Sequence, residues 1–273
     1  MSDTPIFSVS NSSLIAVRLP ETPKSIDKSL DKLLTPTSKW LGKCGGGLSK
    51  GLYAAIAAPV EAWADRRILQ IKRVSEQIQE RLQFIPEDRR IEPTLAVVNA
   101  VDEGLESCLD DVDLEAGFIN LLTASMDSMQ CSSMIKSHAN TLKQLCSDEA
   151  KIMTVFAQQT KFPFITVKKA LENGEVEVAL YITNIQTRCQ CQSPKLIPAY
   201  FVHLETLGLI KINTEEILVN DDFYKEIEST EEIQMLKMQI ETGGNKYKGK
   251  KGLLSITPLG SDFVKACGLS CQS

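Results

Sequence analysis

Between residues 61 and 157, apolar residues recur every three or four positions, the spacing that places them on one face of a helix. Ile71, Val74, Ile78, Leu82 and Ile85 follow this rule while Arg, Lys, Glu and Gln fill the other faces. Glu61–Ile85 is therefore predicted as one amphipathic helix, ended by Pro86. Four shorter helices are predicted over 94–157. Leu95, Val98, Val101 and Leu105 line the first, and Leu114, Phe118, Leu121, Leu122 and Met126 the second. Ile135, Leu142 and Leu145 line the third. Ile152, Met153 and Phe156 line the fourth, with Ser147 as its expected cap. The loops between them are short, so an antiparallel bundle is expected.

After residue 160 the period changes. Pro163–Val167 and Glu175–Tyr181 alternate as strands about an Asn173-Gly174 turn. Ile197, Tyr200, Phe201, Leu204 and Leu207 then mark a helix face, Gly208 suits a left-handed helix end, and Leu209–Ile212 suits a short strand. Further on, Ser255–Ile256 closes a strand, Thr257 can cap a helix, Pro258 fits its first turn and Gly268 its stop. Helix, strand, loop, strand, helix is the order of a winged helix. Between the two halves lie a polar, acidic helical insert at Asp221–Ile240 and a basic, glycine-rich stretch, Gly243–Gly252, expected as a hairpin in the place of a wing. The predicted fold is thus α+β and mostly α, a helical bundle followed by a winged-helix-like C-terminal domain. Residues 1–36 are expected as a disordered leader, 37–60 as a Gly/Ala-rich segment, 61–160 as the bundle and 161–273 as the winged-helix-like domain.

Within Trp40–Trp63, Gly42/Gly46 and Gly47/Gly51 stand four apart, a spacing that lets helices approach closely. Lys43 and Lys50 interrupt the stretch, and Pro59 is expected to break or restart a helix. A short helix is expected at Ile26–Leu34. No run of about 18 apolar residues marks a membrane span. Gly42–Ala58 is the segment through which membrane contact is open.

The chain has 273 residues, 43% of them hydrophobic and only 6% aromatic, so Leu, Ile, Val and Ala must supply most of the core. Net charge is −5. That argues against general affinity for nucleic acid or anionic lipid and leaves room for a local basic patch. Eight cysteines are scattered over a chain that opens on a polar segment, which points to a reducing, cytoplasmic setting. Cys189-x-Cys191 has a one-residue gap where structural zinc sites show two to four, so no metal is expected.

Nor does a catalytic constellation stand out. No G-x-S-x-G or H-E-x-x-H occurs, and the two histidines, His138 and His203, stand alone. A lone helical histidine is ordinarily a surface or capping residue. A Cys/His pair would need Cys131 or Cys146 to meet His138 in space. Asp110, Asp111, Asp113 and Glu115 fit no calcium-loop spacing and suit a helix N-terminus instead. Met126, Met129, Met134 and Met153 suit core packing. The candidate contact set is Lys246, Tyr247, Lys248, Lys250 and Lys251, where lysines surround a tyrosine and can hold phosphates. The helix Lys195–Leu207, which would enter a DNA groove, carries a single lysine and Glu205, so base readout is less favoured.

Read in order, the segments IPEDRRIEPTLAVVNA, FINLLTASMD, SHANTLKQLCSDEAKIM, HLETLGLI and ITPLGSDFVKACG resemble the prokaryotic abortive infection alpha (Abi-alpha) family over roughly residues 60–268. The resemblance implies a bacterial protein of phage defence and assigns no catalytic residue. His138 is a candidate because it falls inside the resembling stretch. The expectation is a non-enzymatic protein without cofactor, acting through an unknown protein partner, a second copy of itself or a membrane. The alternative is a winged-helix regulator that binds nucleic acid.

Overall fold

The computed structural model describes residues 50–108, 111–132 and 134–269, with only the course of the backbone given over 50–65. The leader, the Ile26–Leu34 helix and the glycines of 42–47 lie outside the described residues. Helix α1 (Lys50–Leu82) passes through Pro59 without ending, contrary to expectation. Proline removes one backbone donor and crowds the preceding turn, and the bonds on either side carry this long helix across. Val74, Ile78, Leu82 and Ile85 are buried as predicted.

Helices α2 (Leu95–Ser107), α3 (Val112–Ser125), α4 (Ile135–Leu142) and α5 (Ser147–Gln158) are the four predicted. The apolar residues expected to line α3, α4 and α5 are buried, with Leu145 just beyond α4. In α2 the inward stripe is Val97, Val98, Val101 and Leu105, whereas Leu95 is 53% exposed because it opens the first turn. Met126 and Met153 are core residues, but Met129 and Met134 are exposed, one in a loop and one just ahead of α4. Gly104 of α2 lets the Phe118 ring of α3 approach to where a Cβ would stand 2.2 Å away. The expected cap Ser147 does something else. Cys146 precedes the helix, its N–H bonds the Glu149 carboxylate at 2.9 Å, and the Ser147 hydroxyl donates to Asp111. Asp111 in turn caps α3 by accepting from the Leu114 N–H.

Strands β1 (Lys161–Leu171), β2 (Gly174–Ile182), β3 (Ile210–Asn213) and β4 (Lys246–Ile256) form one antiparallel sheet in the order β2-β1-β4-β3. Leu171 pairs with Gly174, so β1 and β2 are a hairpin turning at Glu172-Asn173. Helices α6 (Ile185–Cys189) and α7 (Ile197–Thr206) precede β3. Helices α8 (Asp222–Glu228) and α9 (Glu231–Thr242) precede β4, and α10 (Pro258–Cys267) follows it. The protein is α+β and mostly helical.

Two sequence expectations change here. Gly243–Gly252 is not a hairpin. From Lys246 onward it is strand β4, which pairs with β1 from Lys246↔Ala170 to Ser255↔Lys161 and with β3 at its other end. Backbone bonding to β1 outweighs the glycines because β1 runs on to Leu171, beyond its predicted end at Val167. Nor is Asp221–Ile240 merely a polar insert. Tyr224, Ile227, Ile233 and Ile240 are buried and, with Ile165, Val167 and Ile182, form a second hydrophobic core under α8 and α9.

The larger core joins the bundle to Phe162, Phe164, Phe201, Leu204, Leu254 and Phe263. Helix α10 packs on α3, α4, α5 and so returns the end of the chain to the bundle. Its ends are built as predicted. Thr257 Oγ1 accepts from Gly260 N at 2.9 Å and donates to Gly208 O at 2.6 Å, tying the α7–β3 corner to the start of α10. Gly208 and Gly268 have φ of 74° and 62°, the left-handed helix ends that glycine permits.

Candidate functional site

Successive residues of a strand point to opposite faces of its sheet. In β4 this rule separates the five residues singled out by sequence. Lys246, Lys248 and Lys250 share one face, and Lys168, opposite Lys248 on β1, joins them. Glu175 and Glu177 of β2 lie on the same face. Lys248 Nζ is 2.5 Å from Glu175 Oε1, and Lys168 Nζ is 3.4 Å from Glu177 Oε1. The Lys248 hydrogen bond, with the charges of Lys248, Lys168 and Lys250, holds the Glu175 carboxyl below its usual range. Four lysines therefore stand against two carboxylates. Lys246, Lys248 and Lys250 are exposed and alternate residues of a strand are about 6.8 Å apart.

Tyr247 and Lys251 belong to the other face. Tyr247 packs on the second core, beneath the Lys237 ammonium, and its hydroxyl is buried without a hydrogen-bond partner. Burial, and then Glu228, push that phenol up. Lys251 Nζ bonds Asp221 at 2.5 Å and lies 5.2 Å over the Tyr224 ring. The expected picture of lysines around a tyrosine is therefore replaced by a lysine face with the tyrosine behind it. Lys168 lies just past the predicted strand end at Val167, in the part of β1 that pairing with β4 extends. Continuing the alternation Phe162, Phe164, Thr166 by one step would have found it.

His138 is not the surface or capping residue that a lone helical histidine would ordinarily be. It is buried, its Nε2 lies 2.8 Å from Asp262 Oδ2, and its ring meets Phe263 edge-on. The pair ties α4 to α10. His203 Nδ1 is 2.6 Å from Oε1 of Glu149, a buried carboxylate in the first turn of α5. Beside it the buried Asp148 accepts from the Gln192 and Ser193 N–H groups at 2.8 and 2.9 Å. Cys146 neighbours Tyr200, whose phenol is pushed up to about 12 by burial and then by Cys146 and Asp148. Of the acidic cluster, Glu115 is buried against Arg73 and Asp111 is a cap; Asp110 is outside the described residues. Among the described residues no three His, Cys, Asp or Glu side chains converge to hold a metal ion, and no helix is long and apolar enough to cross a membrane.

The protein is α+β, with buried carboxylates paired to Arg73 and His203 and a lysine face on the two inner strands of its sheet. The family model described as abortive infection alpha matches residues 66–267, and the chain belongs to that family. No curated protein matches. A solved structure, an uncharacterized protein from the hydrocarbon-degrading marine bacterium Alcanivorax borkumensis SK2, is 18% identical, with a TM-score of 0.35, over 50% of this chain and 99% of that one.

Proposed function

We propose that the protein takes part in phage defence by abortive infection, that it acts by binding rather than by catalysis, and that its lysine face receives a nucleic acid backbone. Family membership supports the biological setting. The observation that carries the binding mode is the convergence of Lys168, Lys246, Lys248 and Lys250 on one sheet face. Such a face attracts phosphates without reading bases, which fits a chain whose net charge is negative but whose basic residues are locally gathered. With α8 and α9 inserted between the two strands, the order α7, β3, β4, α10 is helix, strand, strand, helix, and three of the four lysines lie in the half of β4 that pairs with β1.

The test is binding of the full chain to labelled single- and double-stranded oligonucleotides across a salt series. The comparison is with Lys168/Lys246/Lys248/Lys250→Ala and with Lys251→Ala on the other face. The quadruple variant is expected to flatten the dependence of log K on log salt by about 3, while Lys251→Ala keeps it. Equal binding by the quadruple variant and the parent removes the nucleic-acid reading. Plaque counts on cells expressing either protein then report whether the face matters for defence. Lost protection with unchanged oligonucleotide binding would turn the same face toward an acidic protein partner.

A further inference from the structure

Helix α6 ends on Cys189, and the next residue, Gln190, has φ 47° and ψ 45°, the left-handed region that residues with a side chain avoid. Residues held there persist where their surroundings fix them. Here the surroundings are Asp148, whose carboxylate accepts from the N–H groups of Gln192 and Ser193. The reversal at Gln190 folds Cys191 back over Cys189, and the two Sγ atoms lie 2.9 Å apart. Both are free thiols, Cys189 buried and Cys191 partly exposed. Cys191 Sγ also points at the Asp148 carbonyl, 3.8 Å away.

We propose that Cys189 and Cys191 are a reversible dithiol/disulfide site whose oxidant is a low-molecular-weight disulfide. The sulfurs need to close by less than about 1 Å to reach a disulfide bond of about 2.05 Å, and the reversal at Gln190 already brings the two side chains together. Exposure sets the order of events. The Cys191 thiolate attacks the small disulfide RSSR, forming a mixed disulfide and releasing RS⁻. Cys189 then gives up its proton and attacks the Cys191 sulfur, releasing the second RS⁻. The two protein thiols are oxidised and RSSR is reduced to two RSH, which carry away the two protons. Burial, followed by the neighbouring Cys189, pushes the Cys191 thiol well up, so little thiolate is present at neutral pH. In the oxidised form the bond closes the turn at Gln190 covalently and removes the Cys191 thiol hydrogen that points at the Asp148 carbonyl.

Full-length protein equilibrated with graded mixtures of reduced and oxidised glutathione, then acid-quenched and digested with trypsin, provides the test. Cleavage after Arg188 and Lys195 releases a peptide containing only these two cysteines. The parent is expected to yield this peptide lighter by two hydrogens, and reduction restores the mass. Cys189→Ser lacks the resolving thiol and is expected to accumulate the glutathione adduct on Cys191. The proposal is overturned if the parent peptide stays a dithiol under conditions that glutathionylate the exposed Cys131. It is equally overturned if the parent accumulates the mixed disulfide as Cys189→Ser does, or if the bond forms between molecules.

Discussion

Arg73 and Glu115 are joined by two hydrogen bonds, Nε to Oε1 at 2.7 Å and Nη2 to Oε2 at 2.6 Å, which hold the long helix α1 onto α3. The Glu115 side chain is 2% exposed and the Arg73 side chain 48%. Removing the arginine leaves a buried carboxylate without its counter-charge. Arg73→Met is expected to destabilise the fold by about 1–3 kcal/mol, read from urea unfolding. Arg73→Met with Glu115→Leu is expected to recover most of that loss, since replacing both partners removes the stranded charge. A double variant as unstable as the single one would show that packing, not charge, sets the loss.

Thr257 is at once the cap of α10 and the tie to Gly208. Thr257→Ala is expected to cost about 1–2 kcal/mol, and Thr257→Ser to keep most of the stability because it keeps the hydroxyl. Thermal melts of the two variants side by side decide this. Equal melting points would mean that the hydroxyl contributes nothing.

Tyr224 lies fully buried under the sheet, donating to Gly252 O at 3.1 Å and accepting from Leu218 N at 3.0 Å. Tyr224→Phe keeps the ring and strands both backbone groups, so a loss of about 1–3 kcal/mol is expected. Hydrogen exchange should quicken at the Leu218 amide. Unchanged protection there would contradict the assigned bond.

Burial, then Glu115 and Asp111, push the Cys108 thiol up to about 12, and Tyr200 is raised likewise. A raised acid keeps its proton longer in the folded chain than in the unfolded one. Its contribution to stability is therefore complete below the unfolded thiol value near 9 and falls as pH rises toward 12. Unfolding midpoints are expected to hold up to about pH 9 and decline above it, with a shallower decline in Cys108→Ala. An identical decline in that variant would shift the assignment to other groups.

Helix periodicity located all four bundle helices because each apolar stripe is carried by the helix's own residues. Thr257 and Gly268 were equally legible. What the sequence obscured was long-range. The end of β1 is decided by β4, whose lysines and glycines look like loop until a partner strand is supplied. Tyr224 stands beside Phe223 in a polar stretch, and it, not its neighbour, becomes core because a sheet face needs cover. The lysine face was visible in part, since strand parity sorts Lys246, Lys248 and Lys250 from Tyr247 and Lys251 once the segment is known to be a strand. Nothing local foretold that His138 would meet Asp262, over 100 residues downstream.

The position of β4 between β1 and β3 bears on synthesis. The strand that joins β1 to β3 is made after both of them, and α10, which packs on the bundle, follows it. Until then the nascent chain presents β1 and β3 as open edges and lacks three of the four lysines. A ribosome that stalls before residue 246 therefore yields a chain with neither the finished sheet nor the charged face.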